Sequence, residues 1–160
     1  MVFAMDVKQI KDMLASMEVD ENSWQSLRSS AILRRHSGDI DGAIIDQQKA
    51  IALLKANPLL VEQLATSLNY LADLFIVAGD DERAEEALRD SNDLSRTRFL
   101  HLVTANLWIL ASIKHRHGRK GEAIASANES RRICQQIGHT NGVRQAEELL
   151  AQIQLDSDSL

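Results

Sequence analysis

Few residues in this sequence could bind a metal or act as a nucleophile, and those few lack the partner residues that such a site needs. His115 and His117 in "HRH" suggest a metal-ligand pair, but side chains two positions apart on a helix point in divergent directions. The metal-binding spacings Cys-x-x-Cys and His-Glu-x-x-His are both absent from the sequence. We therefore expect the two histidines to be solvated at a helix end, with no metal bound.

Cys134 is the second candidate for reactivity. It follows Ala127 by seven residues on the apolar stripe of a predicted helix, which favours a buried structural thiol over a nucleophile. The glycine-containing stretches "GDIDG" and "GRKG" lack the Lys-Ser/Thr pair of a phosphate-binding loop, and no Gly-x-Ser-x-Gly elbow occurs. The sequence predicts neither an enzyme nor a bound cofactor.

The composition favours a helical protein and argues against nucleic-acid-binding and membrane proteins. The 160 residues contain one proline, seven glycines and 4% aromatic residues, which favours helices over a multi-stranded sheet. The net charge of −5 argues against nonspecific nucleic-acid binding. A single cysteine suits a reducing compartment, and no signal peptide or long apolar run indicates export or membrane insertion. We expect a cytoplasmic protein that binds neither nucleic acid nor membrane.

An internal repeat determines the architecture. Glycines recur at intervals of 41 and 39 residues, at Gly38, Gly79 and Gly118. An alanine follows each glycine by five residues and another precedes it by seven, at Ala43, Ala84, Ala123, Ala31, Ala72 and Ala111. A further step of 40 residues reaches Ala151. Periods of this size indicate a stacked array, with the alanines allowing close approach of neighbouring helices.

Apolar residues on either side of each glycine recur with helical spacing, so each unit is predicted to be a helical hairpin. The glycine suits a left-handed turn after a helix end, while Asp39 and Asp80 can cap the helix that follows. Pro58 suits a helix start. The predicted helices cover residues 5–18, 23–36, 40–55, 59–77, 81–95, 98–116, 120–136 and 142–154.

This pattern resembles the tetratricopeptide repeat. The second unit carries the signature at Leu68, Leu71, Ala72, Phe75, Gly79, Ala84 and Leu88. The third matches at Leu107, Leu110, Ala111, Gly118 and Ala123, with Lys114 where an aromatic residue is usual. The first departs from the pattern at Ser30, Arg34 and Gln47. The period near 40 is similar to the longer-helix variety of kinesin light chains and bacterial regulators.

The resemblance implies an all-α fold, a right-handed α-solenoid of stacked antiparallel hairpins. We expect one domain over residues 1–155, with a tail at 156–160. Its three repeats would cover residues 24–57, 61–97 and 102–137, followed by a C-terminal helix at 141–155. The first and last helices would act as caps for the array ends.

The resemblance also implies a binding face, because the first helix of each hairpin in such arrays lines a concave groove. The residues assigned to the peptide- or protein-binding site are Arg28, Arg35, Asn69, Asp73, Trp108, Ser112, His115 and Arg116. Three arginines against one aspartate suggest an acidic partner. The carboxylate clamp of co-chaperone repeats is not expected, since Asn69 alone fits its pattern.

We therefore expect a scaffold or adaptor that binds a peptide or protein segment in its groove. Two alternatives remain open at this stage. One is a homo-oligomeric structural subunit, such as a homodimer joined through an apolar array end. The other is a sensor for a peptide or a small molecule.

Overall fold

The computed structural model describes residues 22–156, and every regular element within that range is helical. The helices are α1 Trp24–His36, α2 Ile40–Lys55, α3 Val61–Ala78, α4 Asp81–Ser95, α5 Leu100–Arg116, α6 Lys120–Gln136 and α7 Thr140–Leu155. The helix predicted at 5–18 and the tail residues 157–160 lie outside the described residues. None of these helices is long and apolar enough to cross a bilayer.

The predicted boundaries agree closely with these helices. α2, α4 and α6 begin and end at the predicted residues. The prediction at 59–77 is corrected at its start, where Pro58–Leu60 forms a single 3₁₀ turn before α3. Pro58 is the first residue of that turn, and the Asn57 side chain accepts a hydrogen bond from the Leu59 backbone N–H at 3.0 Å. The proline can begin the turn because a first-turn residue needs no intrahelical N–H bond.

The turns inside the hairpins have the predicted left-handed geometry. Gly38, Gly79 and Gly118 have φ values of +86°, +79° and +71°, a region that side chains disfavour. The Asp39 carboxylate accepts a hydrogen bond from the Gly42 N–H at 3.0 Å, and Asp80 accepts one from the Arg83 N–H at 3.1 Å. Both predicted caps are therefore confirmed.

A fourth turn of the same kind was not predicted. Gly138 has φ +71°, and the His139 N–H donates to the Cys134 carbonyl at 2.8 Å. α7 therefore folds back on α6 directly, without the longer linkers that precede α3 and α5. Because this linker is shorter, the buried position on α7 comes earlier in the sequence than the 40-residue repeat predicts. Ala146 is buried, and the predicted contact residue Ala151 is exposed.

The six other repeated alanines are fully buried, as the repeat predicted. Packing joins consecutive helices along the chain, and α7 also reaches back to α5. A core of larger side chains, including Leu74, Phe75 and Leu88, fills the middle of the array between α2 and α5. The fold is an all-α, right-handed solenoid of stacked hairpins in which α1, α3 and α5 are the first helices of their pairs.

Candidate binding face

The eight residues of the predicted site lie on α1, α3 and α5, the first helices of the three hairpins. Several of them join these helices to one another. Arg35 Nη2 lies 2.8 Å from Asp73 Oδ2, which connects α1 to α3. The Asn69 side-chain amide donates to Asn106 Oδ1 at 2.6 Å, which connects α3 to α5. Much of the predicted site is therefore engaged within the protein.

Tyr70, on α3, lies close to charged side chains of α1 and α3. The Arg35 guanidinium carbon lies 5.9 Å from the centroid of the tyrosine ring. Burial raises the pKa of Tyr70, while the positive charges of Arg35 and Arg28 act in the opposite direction. Within residues 22–156, Arg28 makes no hydrogen bond or ion pair and has only this electrostatic contact.

The "HRH" motif at the end of α5 makes two separate sets of contacts. His115 Nε2 lies 2.8 Å from Asp156 Oδ2, at the end of α7. His117 Nε2 and Arg116 Nη2 approach the two carboxylate oxygens of Asp81, at 2.8 and 2.9 Å. The expectation of solvated histidines holds for His117, whose side chain is half exposed, and needs correction for His115, whose side chain is largely covered. Across the described part of the chain, no three potential ligands converge on a metal position.

These ion pairs change the charge of the predicted groove. Asp73 and Asp81 lie against Arg35 and Arg116, so two of the three arginines that suggested an acidic partner have local counter-charges. An ion pair presents a weaker field to a partner than an isolated cation does. Arg28 is the one of the three for which the described residues show no such carboxylate.

Trp108 lies in a different environment from the rest of the predicted site. Its side chain is 40% exposed and borders a cavity of about 210 Å³ between α5, α6 and α7. Ser112, one turn further along α5, donates its hydroxyl hydrogen to the Trp108 carbonyl at 3.0 Å and is thus used within the helix. Trp108 is the predicted site residue that combines a large apolar surface with a cavity.

Three residues that border this cavity were not assigned to a binding site from the sequence. His101, Cys134 and His139 come from the start of α5, the end of α6 and the turn before α7. Cys134 is 1% exposed, which confirms the predicted burial of the thiol, and its Sγ lies 3.9 Å from His139 Nδ1. A motif search could not connect these positions, because the unpredicted turn at Gly138 brings His139 back onto Cys134.

A larger cavity of about 370 Å³ lies between the second helices α2 and α4, over α3. Its floor is apolar, with Leu68, Leu71 and Phe75. Charged side chains surround it, including Arg83, Glu86 and Asp90. It contains none of the predicted site residues, and its charged walls distinguish it from the cavity beside Trp108.

The comparisons with known proteins support the fold. No protein-family model matches the sequence, and no curated protein matches it. Among solved structures, the chain is similar to MamA with a TM-score of 0.56, 16% sequence identity, and coverage of 98% of this chain and 97% of that chain. The fold is a helical repeat of the tetratricopeptide type. At this identity the likeness concerns the arrangement of helices and not the identity of bound partners.

The predicted site residues fall into two groups of different character. The α1–α3 part is polar and holds Arg28, Arg35 and Asp73 around Tyr70. The α5–α7 part holds Trp108 and its cavity.

Proposed function

We propose that this protein is a scaffold or adaptor that holds a segment of another protein on the inner face of its array. The proposal rests mainly on one observation: Trp108 is partly exposed and lies beside a cavity. Tryptophan is among the residue types most enriched at binding hot spots, and an exposed indole next to a cavity is suited to anchoring a partner. The tetratricopeptide-type fold supports this proposal, because such folds generally serve as protein interaction scaffolds.

The predicted site residues would have two different roles. Arg28 and Trp108 would contact the partner directly, through a charge-assisted hydrogen bond and an apolar contact. The remaining residues would act through their internal contacts. Arg35, Asp73 and Asn69 join the first helices to one another, His115 and Arg116 join α5 to α7 and α4, and Ser112 bonds within α5. The preference for an acidic segment is assigned to Arg28.

Affinity capture from native lysate, with quantitative mass spectrometry, tests this proposal. We compare the unmodified protein with Trp108→Ala and with Leu59→Ala, whose side chain is exposed in the turn before α3 and away from the inner face. A partner that disappears with Trp108→Ala and persists with Leu59→Ala supports binding at the inner face. A partner retained equally by both variants would remove that assignment.

The acidic preference has its own test. Arg28→Glu reverses the charge that the described contacts leave without a carboxylate. A partner bound through acidic residues should lose affinity with this variant, and its binding to the unmodified protein should weaken as salt rises. Undiminished capture by Arg28→Glu rejects the acidic preference and leaves the scaffold proposal in place.

Self-association is the second candidate function, because the first hairpin exposes a group of large apolar side chains. These are Ile32 and Leu33 on α1, and Ile45 and Leu53 on α2. Apolar side chains exposed in this way can close a symmetric dimer. Light scattering after size exclusion should then give twice the monomer mass, and Leu33→Glu with Ile45→Glu should return it to the monomer. A monomeric mass for the unmodified protein at high concentration excludes this candidate.

A further inference from the structure

We infer that the cavity beside Trp108 is a specificity pocket that accepts one large uncharged apolar side chain, phenylalanine or leucine, from the bound segment. This inference rests on the proposed scaffold function and states what the partner must carry. Small residues form the floor of the pocket, ring side chains lie at its rim, and the two hydroxyl groups of the floor already donate hydrogen bonds within the protein.

The floor is made of small residues contributed by different elements. Thr104 belongs to α5, Ser130 and Cys134 belong to α6, and Gly142 belongs to α7. All four are buried. A depression forms because the three helices meet at positions where no side chain is long enough to fill the space between them.

The two hydroxyl groups of the floor already donate hydrogen bonds within the protein. The Thr104 hydroxyl donates to the His101 carbonyl at 2.8 Å, and the Ser130 hydroxyl donates to the Thr104 carbonyl at 2.9 Å. A polar group that reached the floor would lose hydrogen bonds to water and meet no free hydroxyl donor there, so an apolar tip is favoured at the floor.

The rim is made of rings. The His101 and His139 rings meet edge-on, with their centroids 5.7 Å apart and an interplanar angle of 76°. Trp108 provides a third ring, and the exposed Ala105 leaves the side of α5 open. Ring faces and edges pack well against an aromatic or branched aliphatic group.

Charge and size define the occupant further. The residues around the pocket include no Asp, Glu, Lys or Arg, whereas the cavity between α2 and α4 has charged walls. A charged side chain would enter the Trp108 pocket without a partner, at a large desolvation cost. The volume of about 210 Å³ lies below the roughly 300–1,000 Å³ of small-molecule sites, which suits one side chain better than a free metabolite.

The test uses blocked pentapeptides Ala-Ala-X-Ala-Ala, with X as Phe, Leu, Ala or Asp, at millimolar concentration. Two reporters lie in the pocket. Cys134 is the single cysteine of the chain, so its modification by a small methanethiosulfonate can be followed by mass. In a Trp24→Phe variant, Trp108 is the single tryptophan, so its fluorescence reports occupancy. We expect the Phe and Leu peptides to slow modification several-fold and to change the fluorescence, and the Ala and Asp peptides to do neither.

Ala105→Leu tests whether the peptides bind in this pocket, because the larger side chain fills the pocket from an exposed position on α5. Ala125→Leu makes the same exchange at an exposed position on α6 that does not border the pocket. We expect Ala105→Leu to abolish both responses and Ala125→Leu to retain them. Equal responses to the Phe and Ala peptides, or an unchanged Phe response in Ala105→Leu, would overturn the inference.

The two proposals fail in different ways. If the peptides show no selectivity but a cellular partner is still captured and is lost with Trp108→Ala, the pocket inference is wrong and the scaffold proposal stands. If the Phe and Leu peptides bind selectively while no partner depends on Trp108, the pocket is real and the scaffold proposal fails.

Discussion

At Gly142, the side chains of Cys134 and His139 occupy the space that a Cβ atom would take. A Cβ built on this residue lies 2.5 Å from Cys134 Sγ and 2.6 Å from His139 Nδ1. Gly121, in the first turn of α6, has nothing within 4 Å of the corresponding position. The two residues therefore form a matched pair, since both are helical glycines near a helix start.

We predict that Gly142→Ala lowers the free energy of unfolding by about 1–3 kcal/mol, because the buried thiol or α7 must shift to admit the methyl group. Gly121→Ala should leave stability unchanged or raise it slightly, since alanine has the higher helix propensity. Urea denaturation followed by circular dichroism measures both. Equal effects of the two substitutions would contradict the close approach of Cys134 to α7.

Glu85 on α4 is a buried carboxylate held by two arginines. Arg119, at the start of the third hairpin's second helix, binds it through both guanidinium nitrogens, and Arg89 Nη2 lies 2.7 Å from Glu85 Oε2. Burial raises the pKa of Glu85, but the hydrogen bond and charge of Arg119, together with Arg89, outweigh burial and hold the pKa below its ordinary value. Ionised Glu85 therefore stabilises the contact between the second and third hairpins.

Because the folded-state pKa of Glu85 is lowered, its stabilising effect is complete above the unfolded pKa and is lost as the pH falls through the folded pKa. Glu85→Gln should lower the free energy of unfolding by about 1–2 kcal/mol at pH 7, which allows for the partial exposure of Arg119. The difference from the unmodified protein should shrink below pH about 4. Denaturant titrations at several pH values measure this. Glu86→Gln, an exposed neighbour, is the control, and a difference independent of pH would argue against the ion pair.

At the scale of the helix, Asn106 connects three elements. Its amide nitrogen, on α5, donates to Ser91 Oγ at 2.9 Å and to Asn92 Oδ1 at 2.8 Å, both on α4. Its carbonyl oxygen accepts the hydrogen bond from Asn69 on α3. Asn106 is fully buried, so these bonds replace all its contact with water. Docking of α5 on the second hairpin therefore depends on a satisfied polar network within an apolar core.

Asn106→Leu keeps the number and branching of the side-chain heavy atoms but leaves Asn92 and Asn69 without their partner. We predict a loss of about 2–3 kcal/mol in unfolding free energy, which reflects buried polar groups left unpaired. Thermal denaturation measures the loss. Asn141→Leu, at an exposed position on α7, should change stability little. If the two variants are equally stable, the network does not hold α5 in place.

At the scale of the whole molecule, the described helices pack against their neighbours in the chain, and burial is uneven along the array. α1 has one buried residue, Ala31, while α3 has seven. Stability in stacked arrays is approximately a sum over units and their shared interfaces. The first helix should therefore open more easily than the middle of the array.

Hydrogen exchange measures this gradient. We predict that backbone amides of α1 exchange faster than those of α3, because local opening of α1 exposes little apolar surface. Protection in α1 equal to that in α3 at low protein concentration would contradict the prediction. Protection that increases with protein concentration would instead favour self-association through the first hairpin.

The limits of prediction can be seen at particular residues. The repeated glycines and alanines were found because left-handed turns and close helix contacts each admit few residue types. Gly138 was missed because it follows Gly118 by only 20 residues, and a search at a period near 40 passes over it. The same omission misplaced the buried alanine of the last helix at Ala151.

The amino-acid sequence alone was sufficient for the helices within residues 22–156, for the turns at Gly38, Gly79 and Gly118, and for the stacked architecture, because these depend on local periodicity and on single residues with special backbone freedom. The contacts on the inner face could not be derived in the same way. Whether Arg35 faces a ligand or Asp73 depends on how α1 stacks on α3, and the Trp108 cavity depends on how α7 folds back over α6. Both follow from the relative placement of helices, which many side chains set together and no single spacing encodes.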